Sequence, residues 1–368
     1  MCTRSIDFVK FYSILKTTKL PPDRDRPPGP QSQIRLGPPP PVPACLGRFY
    51  PPAFSMVFRC CARPDRETRP DRLRPWFLAS RPKTLPAAIV PVWAGSMLAW
   101  NLTGAWSPVL TLCALLSAIL IQVATNFFND ALDFKKGADT TARLGPVRVT
   151  ASGLLTPRRV VIMGVVMLAL ACAVALPLIQ ARGWPMLAIG LPSLYFAWGY
   201  TGGPVPLAYR GLGELFVLLF FGLVAVAGTV FVNSGQWFWP QSLLLGFQVG
   251  CLSTVLIAIN NLRDRDEDAG TGKRTLAVRF GVTWAKREIM WLCYAPWIIG
   301  ALCWNYLGSN VTYWIAPGVI FALLAVVSPI LRTPPSARYN RILAFAGAQL
   351  ILFALLFTFG SLADRYWK

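Results

Sequence analysis

The 368-residue sequence contains no histidine and is poor in charged residues. Without histidine the chain has no imidazole general base, no Ser-His-Asp triad, no histidine-ligated haem and none of the usual zinc sites. Charged residues make up 14% of the chain and hydrophobic residues 54%, whereas a soluble domain carries about 25% charged residues. This balance excludes a disordered or collagen-like chain and indicates a protein that folds in lipid.

Cysteine motifs are also missing, although the chain has nine cysteines. No two of them have the Cys-x-x-Cys spacing of redox and zinc motifs, and the composition is not that of a disulfide-stapled secreted scaffold. Five cysteines lie in apolar runs, where we expect the thiol to pack as a small hydrophobic group: Cys113, Cys172, Cys251, Cys293 and Cys303.

Acidic residues are the scarcer charge: 16 Asp and Glu stand against 36 Lys and Arg, giving a formal net charge of +20. A nucleic-acid-binding domain would interleave its basic residues with polar surface. After position 75 the basic residues lie instead in short loops between apolar runs, as the positive-inside rule expects. We therefore expect a lipid bilayer, and no nucleic acid, as a partner.

The chain divides into two parts near residue 75. Residues 1–75 hold fifteen of the 32 prolines, fourteen Lys or Arg and six acidic residues. They contain no apolar stretch long enough for a secretory signal and are predicted to be a disordered extension. An organelle transit peptide and an over-long translation start, with Met56 as the true start, both stay open. Residues 76–368 form the predicted membrane domain.

The second part contains nine apolar runs, each long enough to cross about 30 Å of hydrocarbon as a helix. With the N-terminus in the cytoplasm, nineteen of the 22 basic residues after position 75 lie on the cytoplasmic side, and only Arg182, Arg365 and Lys368 lie outside. The sequence predicts an all-α bundle of nine transmembrane helices with this orientation. The runs cover 84–101, 107–129, 159–181, 184–200, 211–233, 241–262, 289–306, 311–331 and 342–362.

Two short segments hold seven of the ten acidic residues that follow position 75. Both contain Asn-x-x-x-Asp at the end of an apolar run, and both continue into a glycine-containing loop with Lys or Arg. This pseudo-repeat predicts two carboxylate clusters that face each other across one cavity. Polar residues share a helical face in each segment: Asn126, Asn129, Asp130 and Asp133 in the first, and Asn260, Asp264 and Asp268 in the second.

Carboxylate and amide oxygens are ligands that suit Mg²⁺, which binds through one or two carboxylates together with substrate phosphates. Two facing clusters could therefore hold Mg²⁺ ions and a diphosphate that carboxylates alone would repel. One such segment could be an ordinary solvated helix end. Two segments with the same pattern are explained less well in this way. Basic residues that suit the same anion follow each cluster: Lys135, Lys136, Arg143 and Arg148 after the first, and Lys273 and Arg274 after the second.

These motifs resemble those of the UbiA superfamily of intramembrane aromatic prenyltransferases, over about residues 76–362. The segments Arg-Pro-Lys-Thr-Leu-Pro at 81–86 and Lys-Arg-Thr-Leu-Ala at 273–277 look like the branch that acts on 1,4-dihydroxy-2-naphthoate in menaquinone or phylloquinone synthesis. In one departure, the superfamily pattern has a third aspartate where this chain has Gly137, and Asp139 follows two residues later. The remaining stretches that carry the resemblance are 129–140, 200–204, 211–214 and 260–264.

The resemblance implies Mg²⁺-dependent transfer of a prenyl chain from a polyprenyl or phytyl diphosphate to the naphthoate, with loss of CO₂ and diphosphate, in a cavity open sideways to lipid. The expected catalytic Mg²⁺ ligands are Asp130, Asp133, Asp264 and Asp268, assisted by Asn126, Asn129 and Asn260. Lys135, Arg148, Lys273 and Arg274 are expected to bind the diphosphate, and Arg81 and Lys83 the acceptor carboxylate. Candidate aromatic stabilisers of an allylic carbocation are Phe127, Phe128, Tyr195, Trp198, Tyr200 and Tyr209.

Several alternatives stay open at this point. A related enzyme could use 4-hydroxybenzoate, homogentisate or protohaem as acceptor. A cation transporter also carries intramembrane carboxylates, but near the bilayer midplane, whereas both clusters here lie at one membrane edge. A bacterial inner membrane is favoured over a plastid membrane because the N-terminal segment is poor in serine. Prenyl chain length and oligomeric state are not determined, and no role is assigned to Asp139, Glu214, Asp266 or Glu267.

Overall fold

The computed structural model describes residues 73–138 and 144–367. The described residues form helices and connecting loops, without a strand. Residues 1–72 of the predicted extension lie outside the described residues, and so do Asp139, Arg143 and Lys368. The helices are α1 (Arg74–Ser80), α2 (Pro86–Thr103), α3 (Pro108–Lys135), α4 (Pro157–Arg182), α5 (Trp184–Gly199), α6 (Gly213–Ser234), α7 (Trp239–Arg263), α8 (Arg265–Gly270), α9 (Leu276–Tyr306), α10 (Val311–Arg332) and α11 (Tyr339–Tyr366).

Six of these helices are long and apolar enough to cross a membrane: α3, α4, α6, α7, α10 and α11. The number rises to seven if the segment Arg74–Thr84 and α2, which meet at a bend of 52°, count as one span. Each of the nine predicted runs overlaps a helix, but α5 has only 16 residues and α9 carries charged residues in its first half. The all-helical membrane architecture is confirmed, whereas nine spans and a cytoplasmic N-terminus stay predictions.

Proline sets several of the helix starts. Pro86, Pro108 and Pro157 each stand in the first turn of their helices, where the missing N–H has no intrahelical partner to lose and the fixed φ suits a helix. Ser107 adds a side-chain cap, since its Oγ accepts a hydrogen bond from the Leu110 N–H at 3.3 Å. These local signals fix where α2, α3 and α4 begin, and so which residues reach the opposite end of each helix.

The main hydrophobic core lies among α2, α6, α7, α9, α10 and α11. Within it α6 and α7 approach unusually closely, because Gly222 packs against Gly246 and Gly250. A Cβ built on Gly222 would lie 2.4 Å from the Gly246 carbonyl oxygen. Gly222 belongs to a π-helical segment, Leu218–Val224, in the middle of α6. The close approach fixes the position of the phenylalanines that this segment carries.

Two arginines cap helices at the end of the bundle that lies away from the acidic segments. The Arg182 Nε donates to the carbonyl of Val232 at 2.8 Å, and its Nη2 donates to that of Asn233 at 3.1 Å. Arg365 donates to the Trp100 carbonyl at 3.1 Å. Carbonyls at a helix C-terminus carry partial negative charge and attract cations. Helix capping therefore explains why Arg182 and Arg365 depart from the predicted placement of basic residues on the cytoplasmic side.

Candidate active site

A cavity of about 570 Å³ lies where α3 ends and α7 meets α8. Its polar end is built from the two acidic segments and from loop residues 146–148, and its other end is apolar. Ten of the thirteen predicted site residues line it: Arg81, Lys83, Asn126, Asn129, Asp133, Arg148, Asn260, Asp264, Asp268 and Lys273. The two polar segments thus meet across one cavity.

Asp133 contacts one hydroxyl group and two cationic side chains. Its carboxylate accepts a hydrogen bond from the Tyr209 hydroxyl at 3.0 Å and forms ion pairs with Lys273 at 3.1 Å and Arg148 at 3.5 Å. The Lys273 ammonium also lies 3.8 Å from Asp268. A single cationic group therefore links the first acidic segment to the second.

Asp264 is held by its own neighbour in the chain. The Arg263 guanidinium donates from Nε and Nη2 to the two Asp264 carboxylate oxygens, at 2.6 and 2.8 Å. Arg263 also donates to the Asn340 side chain at 2.7 Å, and Asn340 donates to the Leu144 carbonyl at 3.0 Å. This chain of contacts ties the second acidic segment to α11 and to the loop that follows the first segment. Sequence reasoning missed Arg263 and Asn340, because no motif spacing marks them.

Asp133 lines the cavity but Asp130 does not, and a role for Asp130 as a Mg²⁺ ligand stays a prediction. The buried Asp130 carboxylate accepts hydrogen bonds from the Thr150 N–H at 3.0 Å, the Val149 N–H at 3.3 Å and the Thr150 hydroxyl. The physical reason is helical geometry: successive residues turn by about 100°, so Asn129 and Asp130 occupy opposite edges of the polar stripe. Asn129 faces the cavity, and its amide oxygen accepts from the Thr201 hydroxyl.

Two predicted diphosphate ligands also lie away from the cavity. Lys135 is exposed at the end of α3, and Arg274 is exposed beside α9, where its backbone pairs with Tyr209. Lys136 is also exposed and does not line the cavity, but its Nζ donates to the Thr201 carbonyl at 2.6 Å and lies 4.0 Å from the centre of the Tyr209 ring. Partial burial lowers the pKa of Lys136, nearby Asp133 raises it, and nearby Lys273 lowers it.

Arg81 and Lys83 line the cavity from the segment that joins α1 to α2. Arg81 has φ 50° and ψ 66°, a left-handed conformation that is unfavourable for a residue with a Cβ. Its carbonyl accepts from the Thr84 N–H and hydroxyl, both at 2.9 Å. Asn126 donates to Thr84 at 3.3 Å and to the Ser80 carbonyl at 2.8 Å, so the first polar segment holds this strained turn in place.

The apolar end of the cavity is lined by aromatic side chains that sequence reasoning did not select. Phe216 and Phe220 are one helical turn apart on α6 and stack with ring centres 4.5 Å apart, and Phe196 lies 5.0 Å from Phe216. Of the predicted aromatic residues, Tyr200 lines the cavity. Phe127 instead packs against Trp76, with ring centres 5.8 Å apart. The four-residue spacing of Phe216 and Phe220 was the available signal.

Glu214 and Asp266 are the acidic residues whose roles the sequence left open and whose contacts the structure now gives. Glu214 is 5% exposed, accepts a hydrogen bond from Asn261 at 2.6 Å, and its other carboxylate oxygen has no hydrogen-bond partner among the described residues. Asp266 is 83% exposed and pairs with Arg265 at 2.7 Å. Glu214 is therefore part of the wall behind Asn261, and Asp266 forms a surface ion pair.

The donor set around the cavity fits a hard divalent cation. The inward-facing ligand atoms are carboxylate and amide oxygens, which suit Mg²⁺, and the Lys273 ammonium already shows Asp133 and Asp268 converging on one positive charge. Within residues 73–138 and 144–367, no three acidic or cysteine side chains come close enough to hold a metal ion by themselves. Such an ion would therefore need further oxygens, from the asparagine amides, from water or from a bound anion.

Comparison with known proteins gives consistent matches over this region. The UbiA prenyltransferase family model matches residues 88–350. The 1,4-dihydroxy-2-naphthoate octaprenyltransferase of Mycobacterium tuberculosis is 35% identical over 288 residues, which are 74% of this chain and 96% of that protein. The protein of the same name from Haemophilus influenzae is 34% identical over 254 residues, 64% of this chain and 82% of that one.

Among solved structures, the fold is similar to that of a UbiA homolog from Archaeoglobus fulgidus bound to GPP and Mg²⁺. The TM-score is 0.57 at 15% identity, over 79% of this chain and 99% of the other. At this identity the likeness concerns the fold alone.

Proposed function

Because the chain belongs to the UbiA prenyltransferase family, we propose that it transfers a prenyl chain from a polyprenyl diphosphate to 1,4-dihydroxy-2-naphthoate, with loss of diphosphate and CO₂. The observation that carries the proposal is the convergence of Asp133, Asp268 and Lys273 at one end of a cavity whose other end is apolar. The names of relatives that are 34% and 35% identical support the naphthoate as acceptor.

The charged end of the cavity would bind the diphosphate. Lys273 and Arg148 are already paired with Asp133, and both guanidinium and ammonium groups bind phosphate oxygens strongly. The Lys136 and Lys273 ammonium groups both lie against the Tyr209 ring, 4.0 and 5.2 Å from its centre. These cations would stabilise the negative charge that develops on the departing diphosphate.

Mg²⁺ would add to this stabilisation as a Lewis acid on the diphosphate. The residues that would hold it are Asp133, Asp264 and Asp268, with amide oxygens from Asn126, Asn129 and Asn260. The Nδ2 of Asn126 is engaged by the turn at Ser80 and Thr84, so its carbonyl oxygen is the atom left for a ligand. Arg263, which also lines the cavity, holds the Asp264 carboxylate in its orientation.

The apolar end would hold the prenyl chain and keep water from the reacting carbon. In the reaction the C–O bond of the allylic diphosphate breaks and the diphosphate leaves with the electron pair. The ring carbon that bears the carboxylate bonds to the allylic carbon, and the C–C bond from that same carbon to the carboxylate then breaks to release CO₂, returning its electron pair to the ring. Phe216, Phe220 and Tyr200 would shield the positive charge by cation–π contact, worth about 0.5–2 kcal/mol.

Arg81 and Lys83 would receive the carboxylate of the acceptor before it is lost. Both line the cavity, and the left-handed conformation of Arg81 is the kind of backbone strain that occurs at binding sites. The turn that carries Arg81 is fixed by Asn126 of the first polar segment. An acceptor bound at this turn would therefore lie next to the diphosphate.

The chain is an integral membrane protein, and we place the charged end of the cavity at the cytoplasmic face. In the topology predicted from the sequence, nineteen of the 22 basic residues after position 75 lie on the same side as the acidic segments, as the positive-inside rule expects. This orientation has a cytoplasmic N-terminus and nine spans if α5 and α9 also cross the bilayer. Bacterial naphthoate octaprenyltransferases among the relatives favour a bacterial inner membrane.

The proposal is tested with purified protein in lipid nanodiscs, polyprenyl diphosphates of several lengths, Mg²⁺ and a panel of aromatic acceptors. We expect a prenylated, decarboxylated product with dihydroxynaphthoate, and loss of at least about 100-fold in rate for Asp133→Asn. Asp266→Asn is the matched control, because Asp266 lies in the same acidic region but outside the cavity. Product formation from another acceptor only, or cation flux without any prenyl transfer, would contradict the proposal.

A further inference from the structure

Loop residues 144–150 are anchored at both ends. At one end the Leu144 carbonyl accepts a hydrogen bond from Asn340 of α11 at 3.0 Å. At the other end Val149 and Thr150 donate to the Asp130 carboxylate from their backbone N–H groups, and Thr150 also donates from its hydroxyl. The Thr150 hydroxyl lies 3.0 Å from the Asp130 backbone carbonyl as well.

The stretch between these anchors carries a charged group into the cavity. Pro146, Val147 and Arg148 line the cavity, and Arg148 pairs with Asp133 at 3.5 Å. Arg148 directly precedes the two residues that bind Asp130. The Asp130 carboxylate therefore sets the backbone position of Arg148. The Arg148 side chain contacts Asp133, which lies three residues after Asp130.

The engagement of Asp130 leaves it little capacity as a metal ligand. It is 1% exposed, and both carboxylate oxygens accept hydrogen bonds from the loop. Backbone N–H groups that converge on a carboxylate form charge-assisted bonds, which are stronger than bonds between neutral groups. Turning Asp130 toward the cavity would break these bonds and leave two buried N–H groups without their acceptor, which is energetically unfavourable.

We propose that Asp130 is a positioning residue: it holds loop residues 144–150 so that Arg148 reaches the diphosphate, while Asp133 faces the ligand. The proposal rests on the prenyl-transfer function above. Two aspartates that stand three residues apart in one motif thus have different roles. Asp130 faces the loop, and Asp133 faces the ligand.

The test compares full-length variants in nanodiscs by amide hydrogen exchange and by kinetics. For Asp130→Ala we expect exchange at Val149 and Thr150 to rise at least about tenfold, because their acceptor is gone. The KM for the polyprenyl diphosphate should rise by roughly 10–100-fold, while the Mg²⁺ concentration for half-maximal rate stays within about twofold of wild type. Asp133→Asn should instead shift the Mg²⁺ dependence.

Two further variants separate the anchor from a general loss of structure. Asp130→Asn keeps a carbonyl oxygen for Thr150 but removes the negative charge, so it should keep much more of the diphosphate affinity than Asp130→Ala. The double variant Asp130→Ala/Arg148→Ala should be no worse than Arg148→Ala alone, because Asp130 acts through Arg148.

Unchanged exchange at Val149 and Thr150 in Asp130→Ala would overturn the proposal. A shift in Mg²⁺ dependence for Asp130→Asn as large as that for Asp133→Asn would overturn it as well. A wild-type protein without prenyl transfer would instead count against the proposed function, and the exchange measurement would still decide whether Asp130 anchors the loop.

Discussion

The Lys273 ammonium lies 3.1 Å from the carboxylate of Asp133, although 140 residues separate the two in the chain. The same ammonium lies 3.8 Å from Asp268. The end of α3 and the loop after α8 are thereby brought together, and the cavity receives its charge from both halves of the chain. The buried setting of this cluster makes the contacts stronger than they would be in water.

Lys273 should be needed for diphosphate binding, whereas its neighbour Arg274 should not. Lys273→Ala removes the cation that links the two acidic segments and should lower kcat/KM for the polyprenyl diphosphate by about 100-fold. Arg274→Ala removes an exposed side chain that does not line the cavity and should change it by less than about threefold. Equal losses in the two variants, measured by initial rates at several diphosphate concentrations, would contradict the assignment.

Arg263 should contribute mainly to stability. Arg263→Ala removes the bidentate partner of the buried Asp264, and breaking a buried ion pair costs about 3–5 kcal/mol. Adding Asp264→Asn should recover part of this loss, because the buried charge is then gone. Unfolding by denaturant in detergent micelles measures both variants. A double variant as unstable as Arg263→Ala would show that the pair is not the source of the effect.

Removing Asn261 from its hydrogen bond with Glu214 should likewise cost more when the partner left behind is a buried charge. Asn261→Ala removes the 2.6 Å hydrogen bond to the buried Glu214 carboxylate and should cost about 1.5–3 kcal/mol of unfolding free energy. In a Glu214→Gln background the same substitution should cost less, since no buried charge loses its partner. The difference between the two backgrounds is the measurement, and equal costs would count against a charged Glu214.

The close approach of α6 and α7 should make Gly222 intolerant of a side chain. A Cβ there would meet the Gly246 carbonyl oxygen and the Gly250 backbone, so Gly222→Ala should destabilise the protein by about 1–3 kcal/mol. Gly190→Ala, in α5, is the matched control, because a Cβ there meets nothing within 4 Å. It should be neutral or stabilising by about 0.4–1 kcal/mol. Thermal unfolding in detergent distinguishes the two.

Periodicity and charge position predicted much of this architecture, because apolar runs and helical spacing are local properties of the chain. The face shared by Asn126, Asn129 and Asp133, and its meeting with Asp264 and Asp268, follow from that spacing. The position of Asp130 did not, since a stripe about 100° wide has two edges. Which edge meets the loop and which meets the cavity depends on tertiary packing, as do the contacts of Arg263 with Asn340 and Asp264.

The claim that Asp133 and Asp268 act on one ligand is tested most directly by Mn²⁺ binding, followed by electron paramagnetic resonance, in the presence of an unreactive prenyl diphosphate analogue. We predict that Asp133→Asn and Asp268→Asn each weaken Mn²⁺ binding by about 10-fold or more, and that Asp266→Asn leaves it unchanged. Wild-type affinity for Mn²⁺ in both Asp133→Asn and Asp268→Asn would contradict the account.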